Sequence, residues 1–272
     1  MTELRAIIFD MDGTLADTEG IHRLAFNQAF AEFDIDWQWS VEEYKQQLTV
    51  SGGKERIRLN LQQHFSSEMS EDEIWQLTLS IHKRKSDIYR EMLVAGNIQL
   101  RTGVKRLLDD ALNQNIQMAI ATSSCFSNVK TLLQNALGND ALELFSTIVT
   151  SDRIVEKKPS PAVYQCALSE LELQPQHCVA LEDTCNGNLA ALNASIRTVI
   201  TTHIYTLKDD FSGASLVLGH LGDENNPFQV KAGNAHGKEI VDVELLRLIC
   251  QEPHQKGGVD SLPQNTPSLN VS

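Results

Sequence analysis

The sequence predicts an α/β fold in which a parallel sheet carries helices on both faces and an α-helical cap is inserted after the first strand. Three observations carry that prediction. Apolar runs of strand length alternate with helix-like stretches over most of the 272 residues. The alternation fails between residues 18 and 96, where the patterns are helical throughout. Asp10, Thr122 and Glu182-Asp183 each follow a strand-like run, and ligands of open parallel sheets bind beyond the carboxyl ends of the strands.

The first run is Ala6-Ile7-Ile8-Phe9, which stops at Asp10. Later runs are Met118 to Ala121, Thr147 to Thr150, Cys178 to Leu181 and Ile196 to Ile200. Between them, Val104 to Leu112, Val129 to Leu137, Pro161 to Leu171 and Gly187 to Ala194 read as helices, the crossovers that parallel strands require. Within the inserted stretch, Ala25, Phe26, Ala29, Phe30 and Phe33 recur at helical spacing. Ser40 with Glu43 and Ser70 with Glu73 have the form of capping boxes. The second box opens a long helix from Glu71 to about Leu93, whose buried stripe is Ile74, Leu77, Ile81, Ile88 and Met92. Aromatic and Met positions on that helix are expected to pack, not to bind a cofactor. The expected domains are a core of residues 1–17 and 97–250 and a cap of residues 18–96. Residues 251–272, rich in Pro, Gln, Gly, Asn and Ser, read as a disordered tail.

An apolar content of 42% supports a full core plus one insertion. The net charge of −13 argues against nucleic-acid binding, which needs clustered Lys and Arg. An acidic protein that handles an anion must concentrate positive charge locally, so lysines near the motifs gain weight. The five cysteines form no C-x-x-C pair, which disfavours a disulfide framework and a structural zinc site. No run reaches the length of a signal-peptide core or a membrane span. A cytoplasmic protein is expected, or one in an organelle stroma after processing.

Asp10 and Asp12 follow an apolar strand at a spacing of two, so extended geometry sends both carboxylates to one side. Gly13 and Thr14 then turn the chain. One carboxylate can attack phosphorus while its neighbour gives and takes the proton of the bridging oxygen. Two carboxylates and a phosphate repel one another unless a cation intervenes, which points to magnesium and its oxygen ligands. A lone D-x-D is otherwise an exposed turn or a helix cap.

Asp10-Met11-Asp12-Gly13-Thr14 resembles the first motif, D-x-D-x-T, of the haloacid-dehalogenase-like hydrolase superfamily. Thr122, Lys158 in Lys157-Lys158-Pro159 and Glu182-Asp183 resemble the remaining motifs, in order. The resemblance implies a Rossmann-like core with Asp10 as nucleophile and Asp12 as general acid/base. It implies Thr122 with its neighbour Ser123, and Lys158, as phosphate ligands. Magnesium would be held by Asp10, the Asp12 backbone carbonyl, Asp183 and Glu182. Physical chemistry supports these roles, because Lys158 can offset phosphoryl charge and Thr122 can donate a hydrogen bond.

The insertion looks like the cap of the β-phosphoglucomutase-like branch. Glu19 with His22, Ser51 to Arg56 and Val155 to Pro161 narrow the resemblance to CbbY-like sugar-bisphosphate phosphatases, over residues 1 to about 205. The substrate implied is xylulose 1,5-bisphosphate or a related sugar phosphate. Gly52-Gly53 would let the backbone approach such a ligand, and Lys54 and Arg56 would bind a second phosphate. Glu19 and His22, three apart on one helix face, could bind sugar hydroxyls. Two departures from the pattern stand outside this chemistry. Arg101-Thr102-Gly103 stands where the family usually has a proline before the glycine, and Ala194-Ser195 replaces the usual Ala-Gly. Both are expected to affect turns, not catalysis.

The expected protein is thus a monomeric phosphatase for a small sugar phosphate, with neither nucleic acid nor membrane as partner. A phosphomutase that returns the phosphoryl group to sugar is the nearest alternative, and a noncatalytic sugar-phosphate sensor is the alternative of another class. A dehalogenase needs one aspartate and no metal, which leaves Asp12 and Glu182-Asp183 without purpose.

Overall fold

A computed structural model describes residues 3–96 and 98–252. The expected tail lies outside the described residues from 253 onward, and Gln251 is instead the last residue of a helix. The core strands are β1 (Ala6–Phe9), β2 (Gln117–Ala121), β3 (Thr147–Val149), β4 (Cys178–Glu182), β5 (Arg197–Thr201), β6 (Leu216–Leu218) and β7 (Val230–Gly233). They form one seven-stranded sheet in the order β3-β2-β1-β4-β5-β6-β7, parallel except for the β6–β7 pair. The first five match the expected runs to within a residue or two. The antiparallel edge was not anticipated, because Leu216–Leu218 is too short to show a period and every residue of β7 is exposed.

The central strand explains why the sheet is covered twice. Ala6 and Ile8 enter one apolar cluster with Val163, Tyr164 and Ala190, while Ile7 and Phe9 enter another with Leu107, Leu132 and Ile249. A strand buried on both faces must be apolar throughout, and β1 is. Those partners lie on α5 (Val104–Asn113), α6 (Phe126–Leu137), α7 (Ala162–Leu171), α8 (Cys185–Asn193) and α9 (Val243–Gln251). Strand order runs outward from β1 in both directions, to β2 and β3 on one side and to β4 and β5 on the other. Asp10 therefore leaves β1 at the topological switch point, where helices part and a crevice opens.

Four helices fill the stretch between β1 and α5: α1 (Glu19–Glu32), α2 (Val41–Gln47), α3 (Gly53–Phe65) and α4 (Glu71–Ala95). Both capping boxes form, at Ser40 with Glu43 and at Ser70 with Glu73. On α1 the stripe Ala25, Phe26, Ala29 and Phe30 is buried, with Phe33 partly so. On α4, Ile74, Ile81 and Ile88 are buried and Leu77 and Met92 partly so. The same face also buries Thr78, Lys85, Ser86 and Tyr89, which apolar periodicity alone does not reveal. No helix among the described residues is long and apolar enough to cross a membrane.

Both departures from the family pattern have structural consequences. Ser195 sits at φ +61°, the left-handed region that glycine enters without strain. Arg101 does more than shape a turn. Its guanidinium donates to the carbonyls of Gly13, Thr201 (2.9 Å), Thr202 (2.7 Å) and Gly219 (2.8 Å). It thereby ties the loop after β1 to the end of β5, so the expectation that this position is remote from the chemistry is corrected.

Candidate active site

Backbone pairing places the acidic residues. Asp10 N–H donates to the Leu181 carbonyl at 2.9 Å, which holds the ends of β1 and β4 side by side. Asp10, Glu182 and Asp183 consequently meet, with one oxygen from each lying within 4.8 Å of the others, and all three are buried. Among the described residues, one lysine enters this group. Lys158 Nζ donates to Asp10 Oδ1, to Glu182 Oε1 at 2.6 Å and to the Ala121 carbonyl at 3.0 Å. Tyr164 OH donates to the same Glu182 oxygen at 2.7 Å.

The charge balance of this group shows what it lacks. Burial, reinforced by Glu182 and Asp183, pushes the Asp10 carboxyl well above its usual range despite Lys158. Burial also raises Asp183, against the pull of His203. Lys158 shifts upward, because Asp10 and Glu182 outweigh the burial penalty on its ammonium. Three clustered buried carboxylates, of which the one ammonium pairs with Asp10 and Glu182 only, are a site for a further positive charge, and an all-oxygen donor set suits a hard divalent cation. The residues present fit magnesium. Glu182 stands furthest back, fully buried and already engaged through Lys158, Tyr164 and the Asp183 N–H at 3.2 Å.

Asp10 and Asp12 take different partners. The strand ends at Phe9 and Met11 turns into the core, while both carboxylates line one cavity. Asp10 faces Lys158, whereas Asp12 faces the cap. It accepts from Thr18 Oγ1 (2.6 Å), Tyr89 OH (2.9 Å) and Ser124 Oγ, and lies 3.0 Å from His22 Nε2. Burial favours the neutral acid, but His22, Ser124 and Thr18 together outweigh it and hold Asp12 well below the usual carboxylate range. Thr122 lies at the end of β2, buried, with its Oγ1 accepting from Ser124 N–H at 3.1 Å and its own proton free to donate.

A cavity of about 180 Å³ joins the two regions. Asp10, Asp12, Thr122, Ser123, Lys158 and Asp183 line it from the core, and Glu19, His22, Gly52, Gly53, Lys54 and Arg56 from the cap. Every candidate except the fully buried Glu182 therefore reaches one space. Their roles differ in detail. Arg56 is no solvated side chain, since it donates to the Gln47 (2.9 Å) and Val50 (3.1 Å) carbonyls and to Tyr44 OH (3.3 Å). Tyr44 OH in turn donates to Glu19 Oε2 at 2.9 Å. Gly52 has φ +93°, and a Cβ there would strike the Glu55 carboxylate at 2.0 Å.

Other lining residues escape a sequence reading. Lys85 contacts His22 Nδ1 at 2.5 Å, and its ammonium lies 4.5 Å from the Phe26 ring centroid and 5.1 Å from that of Tyr89. Burial lowers it to about 8. Burial and the neighbouring Lys85 and Lys54 lower His82 to about 3. Tyr89 stacks on His22 at 3.9 Å besides bonding Asp12, so this aromatic packs and also contacts the site. The available signal was a charged residue, Lys85, on an otherwise buried helix face. Lys157 and Asn186 complete the rim, and Asn186 Nδ2 donates to the Thr49 carbonyl and Ser51 Oγ, both at 3.1 Å.

Known proteins share both the sequence and the architecture. The profile of haloacid dehalogenase-like hydrolases matches residues 7–201. The plasmid-borne protein CbbY of Cupriavidus necator is 41% identical over 245 residues, covering 90% of this chain and 96% of its own. A crystal structure of a CbbY variant from Rhodobacter sphaeroides in complex with xylulose 1,5-bisphosphate is 39% identical. It superposes with a TM-score of 0.74 over 80% of this chain and 96% of that one. A phosphate complex of CbbY from the same organism gives a TM-score of 0.72 at 40% identity, over 80% and 94% of the two chains. The chain belongs to the haloacid dehalogenase-like hydrolase family and is a phosphoric monoester hydrolase, with CbbY proteins among its relatives.

Proposed function

We propose that the protein is a magnesium-dependent sugar-phosphate phosphatase that acts through an aspartyl-phosphate on Asp10, with xylulose 1,5-bisphosphate or a close sugar bisphosphate as substrate. The observation that carries this reading is the distribution of charge around one cavity. In a chain of net charge −13, Lys54, Lys85, Lys157 and Lys158 all line it, and Lys158 alone is held by the nucleophile. The other three offer a place for a second anionic group away from Asp10. The similarity to a CbbY variant complexed with xylulose 1,5-bisphosphate supports the same substrate class.

In the first step an Asp10 oxygen forms a bond to phosphorus as the bond from phosphorus to the sugar oxygen breaks, and Asp12 delivers a proton to that oxygen. In the second, water attacks phosphorus, Asp12 takes its proton, and the Asp10 carboxylate leaves. Thr122 and Lys158 donate to the phosphoryl oxygens in both. A divalent cation held by Asp10, Asp183 and the Asp12 backbone carbonyl, with Glu182 behind them, supplies the remaining charge neutralisation. Four polar neighbours hold Asp12 ionised, which suits the base. The acid role requires substrate entry to displace part of that cradle, so that burial raises its affinity for a proton. Glu19 and His22 read sugar hydroxyls, Gly52-Gly53 admits the ligand against the backbone, and Arg56 fixes the loop that precedes Lys54.

Phosphate release from xylulose 1,5-bisphosphate, ribulose 1,5-bisphosphate and glucose 1-phosphate, assayed with magnesium and again with excess chelator, tests the proposal. Rapid release from a sugar bisphosphate that stops in chelator is expected. Glucose 1-phosphate converted to an isomer without phosphate release would establish a mutase. Binding without turnover would establish a sensor.

A further inference from the structure

The turn that follows β5 contacts both halves of the site, and none of the roles above uses it. His203 is 7% exposed. Its Nε2 lies 2.8 Å from Asp183 Oδ2, and its Nδ1 accepts from the Tyr205 N–H at 3.3 Å. The backbone contact leaves the proton on Nε2, so the ring donates to the carboxylate. Thr14 Oγ1 donates to the other oxygen, Oδ1, at 3.0 Å. The carboxylate is thus held from both sides. Gly13 leaves room for this arrangement, since a Cβ there would lie 2.2 Å from Asp183 Oδ2 and 2.9 Å from His203 Nε2.

Two residues along, the same turn meets the cap. The Tyr205 ring packs edge-on against Tyr44, with centroids 5.6 Å apart at 87°. Tyr44 carries the hydrogen bond to Glu19. The turn is closed on itself by His203 N–H to Thr206 Oγ1 (3.2 Å) and Thr206 N–H to the His203 carbonyl (2.9 Å). His203 and Tyr205 are therefore held in one closed turn.

We propose that His203 is a positioning residue for the cation-binding carboxylate of Asp183, and that Tyr205 is the core's docking contact for the substrate-reading face of the cap. One turn then orders the cation site and seats the cap. The second half rests on the phosphatase reading, while the first needs only the resting protein and magnesium. Partners that orient a metal ligand through its outer oxygen are typically worth about 10–100-fold in metal affinity.

Calorimetric titration of magnesium chloride into the unliganded protein tests the first half. His203→Ala should weaken binding by about tenfold or more, and His203→Gln, which keeps a side-chain N–H, should restore most of it. Wild-type affinity in the alanine variant overturns the assignment, and so does equal loss in both variants, which would mean that the ring only folds the turn. Steady-state kinetics with xylulose 1,5-bisphosphate test the second half. Tyr205→Ala should raise KM several-fold with magnesium affinity unchanged, and Tyr205→Phe should behave as wild type. An unchanged KM in the alanine variant, or a loss of magnesium affinity matching that of His203→Ala, overturns it. Should the wild type release no phosphate at all, the phosphatase reading fails while the magnesium titrations still decide the role of His203.

Discussion

The core and cap sides of the cavity are built on different terms. In the core, reactive groups hold one another: Lys158 binds Asp10 and Glu182, Tyr164 binds Glu182, and Thr14 and His203 hold Asp183. In the cap, charged groups touch polar neighbours too, but lean on packing and backbone as well, as Arg56 does on the Gln47 and Val50 carbonyls and Lys85 on the Phe26 and Tyr89 rings. Changes in the core should therefore propagate to stability and turnover together. Changes in the cap should appear mainly in substrate affinity.

The largest expected effect is Lys158→Met. Removing the one ammonium shared by two buried carboxylates leaves uncompensated charge, which costs about 3–5 kcal/mol. Loss of phosphoryl stabilisation should lower kcat by about 100-fold or more. Urea unfolding without magnesium and steady-state kinetics measure the two, and a variant as stable as wild type would break the core half of the comparison.

A smaller effect is expected at Lys85. Burial brings its ammonium down to about 8, so the group is charged below that pH and neutral above it. Attraction for a second phosphate is then lost as pH rises through 8, and KM for the bisphosphate should climb several-fold between pH 7.5 and about 9. Lys85→Arg, charged throughout, should flatten that rise. A KM that climbs equally in both proteins would place the titration elsewhere.

The smallest effect belongs to a core position away from the cavity. Ser195→Gly relieves a left-handed residue and should stabilise the protein by up to about 1 kcal/mol, with kcat and KM unchanged. Thermal unfolding beside kinetics checks it, and altered kinetics would mean that this turn is coupled to the site.

The same contrast decides what was legible in the sequence. Asp10, Thr122 and Asp183 could be placed because each follows a buried strand, and parallel topology brings strand ends together. Helices α1, α2 and α4 could be placed from Phe26, Phe30 and the two capping boxes, whereas α3 starts at Gly52-Gly53 with no side-chain cap to announce it. Lys85, His82 and Tyr89 could not be assigned to the site, because they share a helix face with Ile81 and Ile88, and periodicity reports burial without reporting what is buried. Arg101 and His203 lie in turns with no period, and their contacts are separated from them by 88 and 20 residues.

The central claim is that Asp10 becomes phosphorylated. A magnesium reaction with xylulose 1,5-bisphosphate, quenched in acid within one turnover and digested, measures this by mass spectrometry. The account predicts a phosphoryl group on the peptide carrying Asp10, absent from an Asp10→Asn protein that also releases no phosphate. Phosphate released at the wild-type rate by Asp10→Asn would contradict it.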